Sequence, residues 1–177
     1  MRTRTLLALT ATAGATATLL ALAPTAGAQP TGSAARTATC KESALTVKAS
    51  AADKPGVLRV SVTNRGDRTC VVDRIPTVTF GALDGAAQPV PATESAPYRV
   101  GAGRTAYAAV RTVADPGDTD ARLVDFVTVA GDPSHRGRQF TDDKLGLPQG
   151  VRVWEPVTTW WQPSRAKADA ALEHATR

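Results

Sequence analysis

Val57-Leu58-Arg59-Val60-Ser61-Val62-Thr63 alternates apolar and polar side chains without a break. In an extended chain successive side chains point to opposite faces, so this period of two puts Leu58, Val60 and Val62 on one side and Arg59, Ser61 and Thr63 on the other. The segment is a β-strand with one face against a core. Asn64-Arg65-Gly66-Asp67 follows, a turn built from residues that tolerate positive φ. The same pattern recurs in Leu45–Val47, Cys70–Val72, Thr77–Phe80 (Val78 and Phe80 inward), Arg104–Val113 and Leu123–Val129. It closes with Val151–Trp154, continued past Pro156 through Val157–Thr159. The alanines of Arg104–Val113 leave its inward face ambiguous. Short strands separated by Gly, Pro and Asp turns, with no strand–helix alternation, point to an all-β antiparallel sandwich.

Three stretches break the pattern. Gly81–Pro97 carries Gly85, Pro89, Pro91 and Pro97; each proline lacks a ladder donor, which confines the segment to edges and loops. Asp132–Gly150 is polar and punctuated by Gly and Pro, and reads as a long loop. After Pro163, Ser164 can cap a short helix running through Ala166, Ala170 and Leu172. Its apolar face is too thin to hold it alone, so residues 162–177 are expected to form a frayed tail.

The N-terminus reads as an export signal. Arg2 and Arg4 precede an uncharged apolar run, Leu6–Ala23, and Ala26-Gly27-Ala28 supplies the small residues that a signal peptidase reads. Cleavage is expected after Ala28, by the general secretory route, with no membrane anchor remaining. Residues 29–39 lack large apolar side chains and are expected to be a disordered leader, followed by one β-sandwich domain over 40–161. Cleavage removes Arg2 and Arg4, leaving 19 Lys+Arg against 16 Asp+Glu. That excess is small and forms no basic run, so nucleic acid is not an expected partner. The chain has two cysteines. In an exported protein they are expected to pair, Cys40 with Cys70, as a structural disulfide worth about 3–4 kcal/mol on the chain-entropy model. A redox or metal pair would need closer spacing or a neighbouring His.

Cys40, Asn64-x-Gly66, Cys70, Pro76 opening the next strand and the acidic turn Asp84-Gly85 together resemble a family of secreted or lipid-anchored actinobacterial domains of unknown function. Val100-Gly101-Ala102-Gly103-Arg104, leading into Ala106, Ala108 and Val110, is similar to the glycine-led strand of that family. The resemblance covers about Cys40 to Val157. It implies an antiparallel immunoglobulin-like β-sandwich and brings no catalytic residues with it.

The chemistry-bearing residues favour binding over catalysis. The two histidines are His135, in the Gly/Pro-rich stretch, and His174, in the tail. Neither adjoins a nucleophile motif, and both are expected to be solvated. No catalytic residue, metal or cofactor is expected. Asp115-Pro116-Gly117-Asp118-Thr119-Asp120 gathers carboxylates as calcium loops do, but its spacing is ordinary turn chemistry. The three tryptophans, Trp154, Trp160 and Trp161, fall close together. Trp154 is expected in or beside the core. Trp160 and Trp161, pointing to opposite faces if the strand continues, are candidate binding contacts, with Arg136 and Arg138 as candidate contacts to an anionic polymer. The expected role is a secreted, non-catalytic envelope or extracellular module that binds cell-wall polymer or an extracellular protein. A secreted protease inhibitor is the alternative, although the long loops carry no clamping cysteine.

Overall fold

The computed structural model describes residues 37–92 and 96–176. The expected signal peptide and most of the leader, residues 29–36, lie outside the described residues. The strand Val57–Asn64 (β2) runs antiparallel to Leu45–Ala51 (β1) on one side and to Thr105–Arg111 (β7) on the other. Leu58, Val60 and Val62 face Val110, Ala108 and Ala106 across the ladder, and all six are buried. Large side chains on β2 thus sit opposite mostly small ones on β7, which lets the facing layer approach.

The five-stranded sheet is completed by Val157–Thr159 (β12), antiparallel to β7, and by Gln88–Val90 (β5), parallel to β12. Pro89 belongs to β5, at the sheet edge where a missing donor is tolerated. Against this sheet packs a three-stranded one, in which Phe126–Ala130 (β9) lies between Thr77–Phe80 (β4) and Arg138–Thr141 (β10). Two ribbons close the sides, Cys70–Val72 (β3) with Tyr98–Val100 (β6) and Arg122–Val124 (β8) with Val151–Val153 (β11). Val78, Phe80, Val127 and Val129 join the β2–β7 residues in one apolar cluster. This is an all-β sandwich, antiparallel except at β5–β12.

Two expectations are corrected. The stretch 132–150 is not a long loop, since it contains β10 and one helical turn, Asp142–Leu145 (α1), whose Leu145 is buried. Arg138-Gln139-Phe140-Thr141 has a single apolar residue, too little for a period to be legible. The C-terminal segment is also not a frayed tail. Arg165–Ala175 forms a helix (α2), and the Ser164 hydroxyl accepts from the Lys167 amide at 3.3 Å. Ala168 and Leu172 pack on Val57 and Ala109, on the outer face of the sheet. Asp169 pairs with Arg59 at 3.1 Å. Tertiary contact, rather than intrinsic propensity, holds this helix.

The Cys40–Cys70 disulfide is present, with the Cα atoms 4.9 Å apart. It ties the start of the domain to β3. Ala38 and Thr39, expected in the leader, belong to the same junction. The Val71 amide donates to the Ala38 carbonyl at 3.0 Å, and Thr39 bridges Val71 in parallel.

Trp161 occupies the core. Val157 faces Arg111 and Thr158 faces Val110, but the next pairing, Gln162 with Tyr107, has slipped by one residue. The extra residue makes a β-bulge, in which Thr159 Oγ1 accepts the Ala109 amide at 3.0 Å in place of a ladder carbonyl. The bulge turns Trp161 inward, where it is 1% exposed and its Nε1 has no acceptor among the described residues. We predict that Trp161→Ala lowers stability by about 3–5 kcal/mol. Trp161→Phe keeps much of the packing and removes the orphaned donor, so its cost should be well below that. Chemical unfolding of the two variants checks this; equal losses would show that packing around Trp161 is not what the bulge secures.

Candidate functional site

The expected contact residues do not form one face. Trp161 is buried and unavailable to any ligand, which corrects its assignment as a surface contact. Trp160 is half-buried. Its ring lies 4.5 Å from the Arg74 guanidinium, which also faces Tyr98, and its Nε1 donates to the Pro91 carbonyl at 3.1 Å. Arg136 and Arg138 are exposed on other elements. The Arg136 and Gly137 amides donate to the Glu42 carboxylate at 3.3 and 2.8 Å, and the Arg138 guanidinium stands over Phe140. Among the described residues no hydrogen bond, ion pair or stacking contact joins the tryptophan pair to the arginine pair.

His135 is half-buried rather than solvated, and its Nε2 lies 3.0 Å from the Cys40 carbonyl. The neighbouring Ser134 hydroxyl donates to Asp132 at 2.6 Å, not to the imidazole. The Ser–base hydrogen bond that nucleophilic catalysis requires is not formed by these groups. Burial works against ionisation of Asp132, but the hydroxyl and amide of Ser134, with the nearby His135, hold its carboxyl below the usual value. A carboxylate whose folded pKa is depressed stabilises the fold above its unfolded pKa of about 4, and that contribution disappears as pH falls through the folded value. Asp132→Asn should therefore lower stability at pH 7 and converge with the parent as pH falls through the folded value, as read by thermal melting across pH. A constant gap down to acid pH would assign the loss to packing instead.

Two of the three carboxylates of 115–120, Asp115 and Asp118, are used within their own loop. Asp115 Oδ1 accepts from the Gly117 amide at 2.8 Å and Asp118 Oδ1 from the Asp120 amide at 2.9 Å. Among the described residues no three His, Cys, Asp or Glu side chains are grouped to hold a metal ion. The loop is fastened to β11 by Arg152, which donates to the Asp118 carbonyl.

The residue that does face outward is Trp154. Val151 and Val153 on β11 point into the core, so the alternation puts Arg152 and Trp154 outside, and Trp154 is 40% exposed. This corrects its expected place in or beside the core. Its backbone is fixed by donation to the Thr112 carbonyl at 2.8 Å. Trp154 borders two clefts. The larger, about 560 Å³, is lined among others by Leu83, Asp84, Gln88, Arg122 and Glu155. The smaller, about 330 Å³, is lined by Thr119, Asp120, Ala121 and Arg122. Leu83 is another exposed large apolar residue, on the turn after β4. That turn requires Gly81, where φ is +53° and an added Cβ would meet Val124 Cβ at 3.0 Å.

Immediately after Trp154 the chain leaves the β8–β11 ribbon for the five-stranded sheet. The passage is made by Glu155, the one non-glycine residue at positive φ (+45°) among the described residues, directly before Pro156. L-residues are disfavoured there, and strain of this kind is kept only where surrounding structure enforces it. The described part of the chain thus concentrates an exposed indole, two clefts and a strained backbone at one place. A family model matches residues 40–161. The chain belongs to the family described as Domain of unknown function (DUF4232). That match brings the fold of this DUF4232 domain under one description with its relatives and assigns no activity. No curated protein and no solved structure matches the chain.

Residue shape decides what the positive φ at Glu155 costs. Glu155→Val should be less stable than Glu155→Gly by about 2 kcal/mol, because a β-branched side chain is penalised most at positive φ and glycine least. Urea midpoints of the two variants measure it; indistinguishable midpoints would place Glu155 in an ordinary conformation.

Proposed function

We propose that this DUF4232 protein is an exported, non-catalytic binding module of the cell envelope or extracellular space, and that it holds a glycan strand across Trp154. The export reading is supported by the charged start, the apolar run and the Ala26-Gly27-Ala28 site, together with a disulfide suited to an oxidising compartment. Among the described residues no helix is long and apolar enough to cross a membrane.

The exposed indole between two clefts carries the binding reading. A sugar ring offers an apolar face that packs on indole, and hydroxyls that pair with planar polar side chains. Asp84, Gln88, Arg122, Glu155 and Asp120 surround Trp154 in that way. Two clefts bordered by the same ring suit a polymer passing over it better than a single small molecule. The reading does not call on His135 or His174, and no chemistry is performed on the ligand.

Co-sedimentation of the purified chain with cell-wall sacculi tests this. Trp154 lies outside both buried clusters, so Trp154→Ala removes the platform and spares the core. Binding should fall by about 30-fold, the loss typical of an aromatic anchor, and should resist salt. Trp160→Ala should bind as the parent does. Pelleting unaffected by Trp154→Ala would remove the Trp154 site, and absence of pelleting would turn the search to soluble protein partners, secreted proteases among them.

A further inference from the structure

The arginines that are scattered along the sequence are not scattered in the fold. Asn64, at the end of β2, is 1% exposed and ties together two turns, residues 64–69 and 101–104. Its side-chain amide donates to the Arg68 carbonyl at 2.7 Å and the Val100 carbonyl at 3.0 Å, and its Oδ1 accepts the Gly66 amide at 2.8 Å. Its backbone N–H donates to the Arg104 carbonyl at 3.0 Å, and its carbonyl accepts from Gly103 at 2.9 Å. A single buried residue therefore holds Arg65, Arg68 and Arg104 at one end of the sandwich. All three are exposed. The Arg104 stem crosses back over Gly101, close enough that a Cβ there would meet its Cγ at 3.0 Å and Thr69 Oγ1 at 4.0 Å, which brings Arg104 beside the first turn.

Asp67 is the one acidic residue on these two turns. Among the described residues none of the three arginines is in an ion pair, although Arg65 Nε donates to the Thr46 hydroxyl at 3.2 Å. Glu42, before β1, accepts from the Arg136 and Gly137 amides, and Asp53 pairs with Arg59. Three guanidinium groups on rigid turns against one carboxylate make a cationic end in a chain of small net charge.

We propose that the Arg65–Arg68–Arg104 end is a second binding surface, for a linear polymer of phosphodiesters. A guanidinium presents parallel N–H donors that match two phosphate oxygens, and a polymer repeats that charge often enough to engage several arginines at once. The surface is distinct from the Trp154 cleft. Thr63 pairs with Thr105 at the Asn64 end of β7, whereas Trp154 is bonded to Thr112 beyond the other end. The intervening strand spans about 23 Å at the usual rise per residue. Neither site needs the other, and the substitutions that test them do not overlap.

The test is titration of the full chain with soluble poly(glycerol phosphate), followed by calorimetry at several salt concentrations. Three phosphate contacts should make affinity fall by roughly 20-fold between about 50 and about 200 mM salt. Arg65→Ala/Arg68→Ala/Arg104→Ala should weaken low-salt binding by at least about tenfold and flatten that dependence. Asp67→Asn, which removes the opposing charge without touching a packed side chain, should tighten binding about two- to threefold. No polymer binding at low salt, or an affinity unchanged in either variant, overturns the proposal. Binding to vesicles rich in anionic phospholipid without binding to the polymer would overturn it in favour of a membrane surface. Trp154→Ala leaves this titration unchanged, so failure here and failure of the glycan site are separable.

Discussion

The strand β7 is fully buried on its inner face and covered at Ala109 on its outer one, and most of what lies outside the core is placed by that fact. Ala106, Ala108 and Val110 fill the space opposite β2, while Ala109 is covered from the other side by α2. The outer face keeps the half-buried Thr105, Tyr107 and Arg111 and is small at Ala109, where the helix approaches, and this apolar residue on the outer face blurs the alternation along the strand. Its hydrogen bonds must also be met by neighbours on both edges. β2 meets them on one side. On the other, β12 does so only with a bulge, in which the Thr159 hydroxyl replaces a carbonyl. That bulge seats Trp161 in the core, and the segment leading into β12 makes the strained passage at Glu155 that leaves Trp154 outside.

What could be read from the sequence follows from how many neighbours each residue needs before its place is decided. Leu58, Val60 and Val62 declare their face through local period alone, as do Val78 and Phe80, and all five are core residues. Trp154 was equally legible, because Val151 and Val153 facing inward oblige it to face outward with Arg152; its size suggested the core, and the period was the better guide. Trp161 was not legible. Its burial depends on a one-residue slip against β7, and register is a property of two strands. The docking of α2 lay beyond local reading for the same reason, since Ala168 and Leu172 make a thin stripe until Ala109 and Val57 are set beneath them.

Charge shows the same division between local and assembled information. Counted along the chain, 21 Lys and Arg stand against 16 Asp and Glu, and the basic residues form no run. In the fold, Arg65, Arg68 and Arg104 collect around Asn64, whereas Asp84, Asp120 and Glu155 collect with Arg122 around Trp154. A net charge of +5 therefore conceals two ends of opposite character. The buried Asn64 is the agent at one end, since its amide satisfies one carbonyl in the first turn and another at the end of β6 and would be costly to bury without them. At the other end the agent is the bend between sheets.

That bend bears on why the proposed glycan contact sits where it does. A tryptophan on a regular outer strand would lie flat among its cross-strand neighbours and offer a ligand little more than an edge. At Trp154 the strand ends, the backbone turns through a disfavoured φ, and the proline that follows prevents the chain from relaxing into a wider loop. The ring is left standing between two clefts on a backbone held by Thr112 and by the Gln88–Pro156 hydrogen bond of 2.8 Å. Its few torsions are then the only freedom a ligand has to restrict. Rigidity at that point lowers the entropic cost of binding, so the strain at Glu155 and the exposure of Trp154 have one explanation.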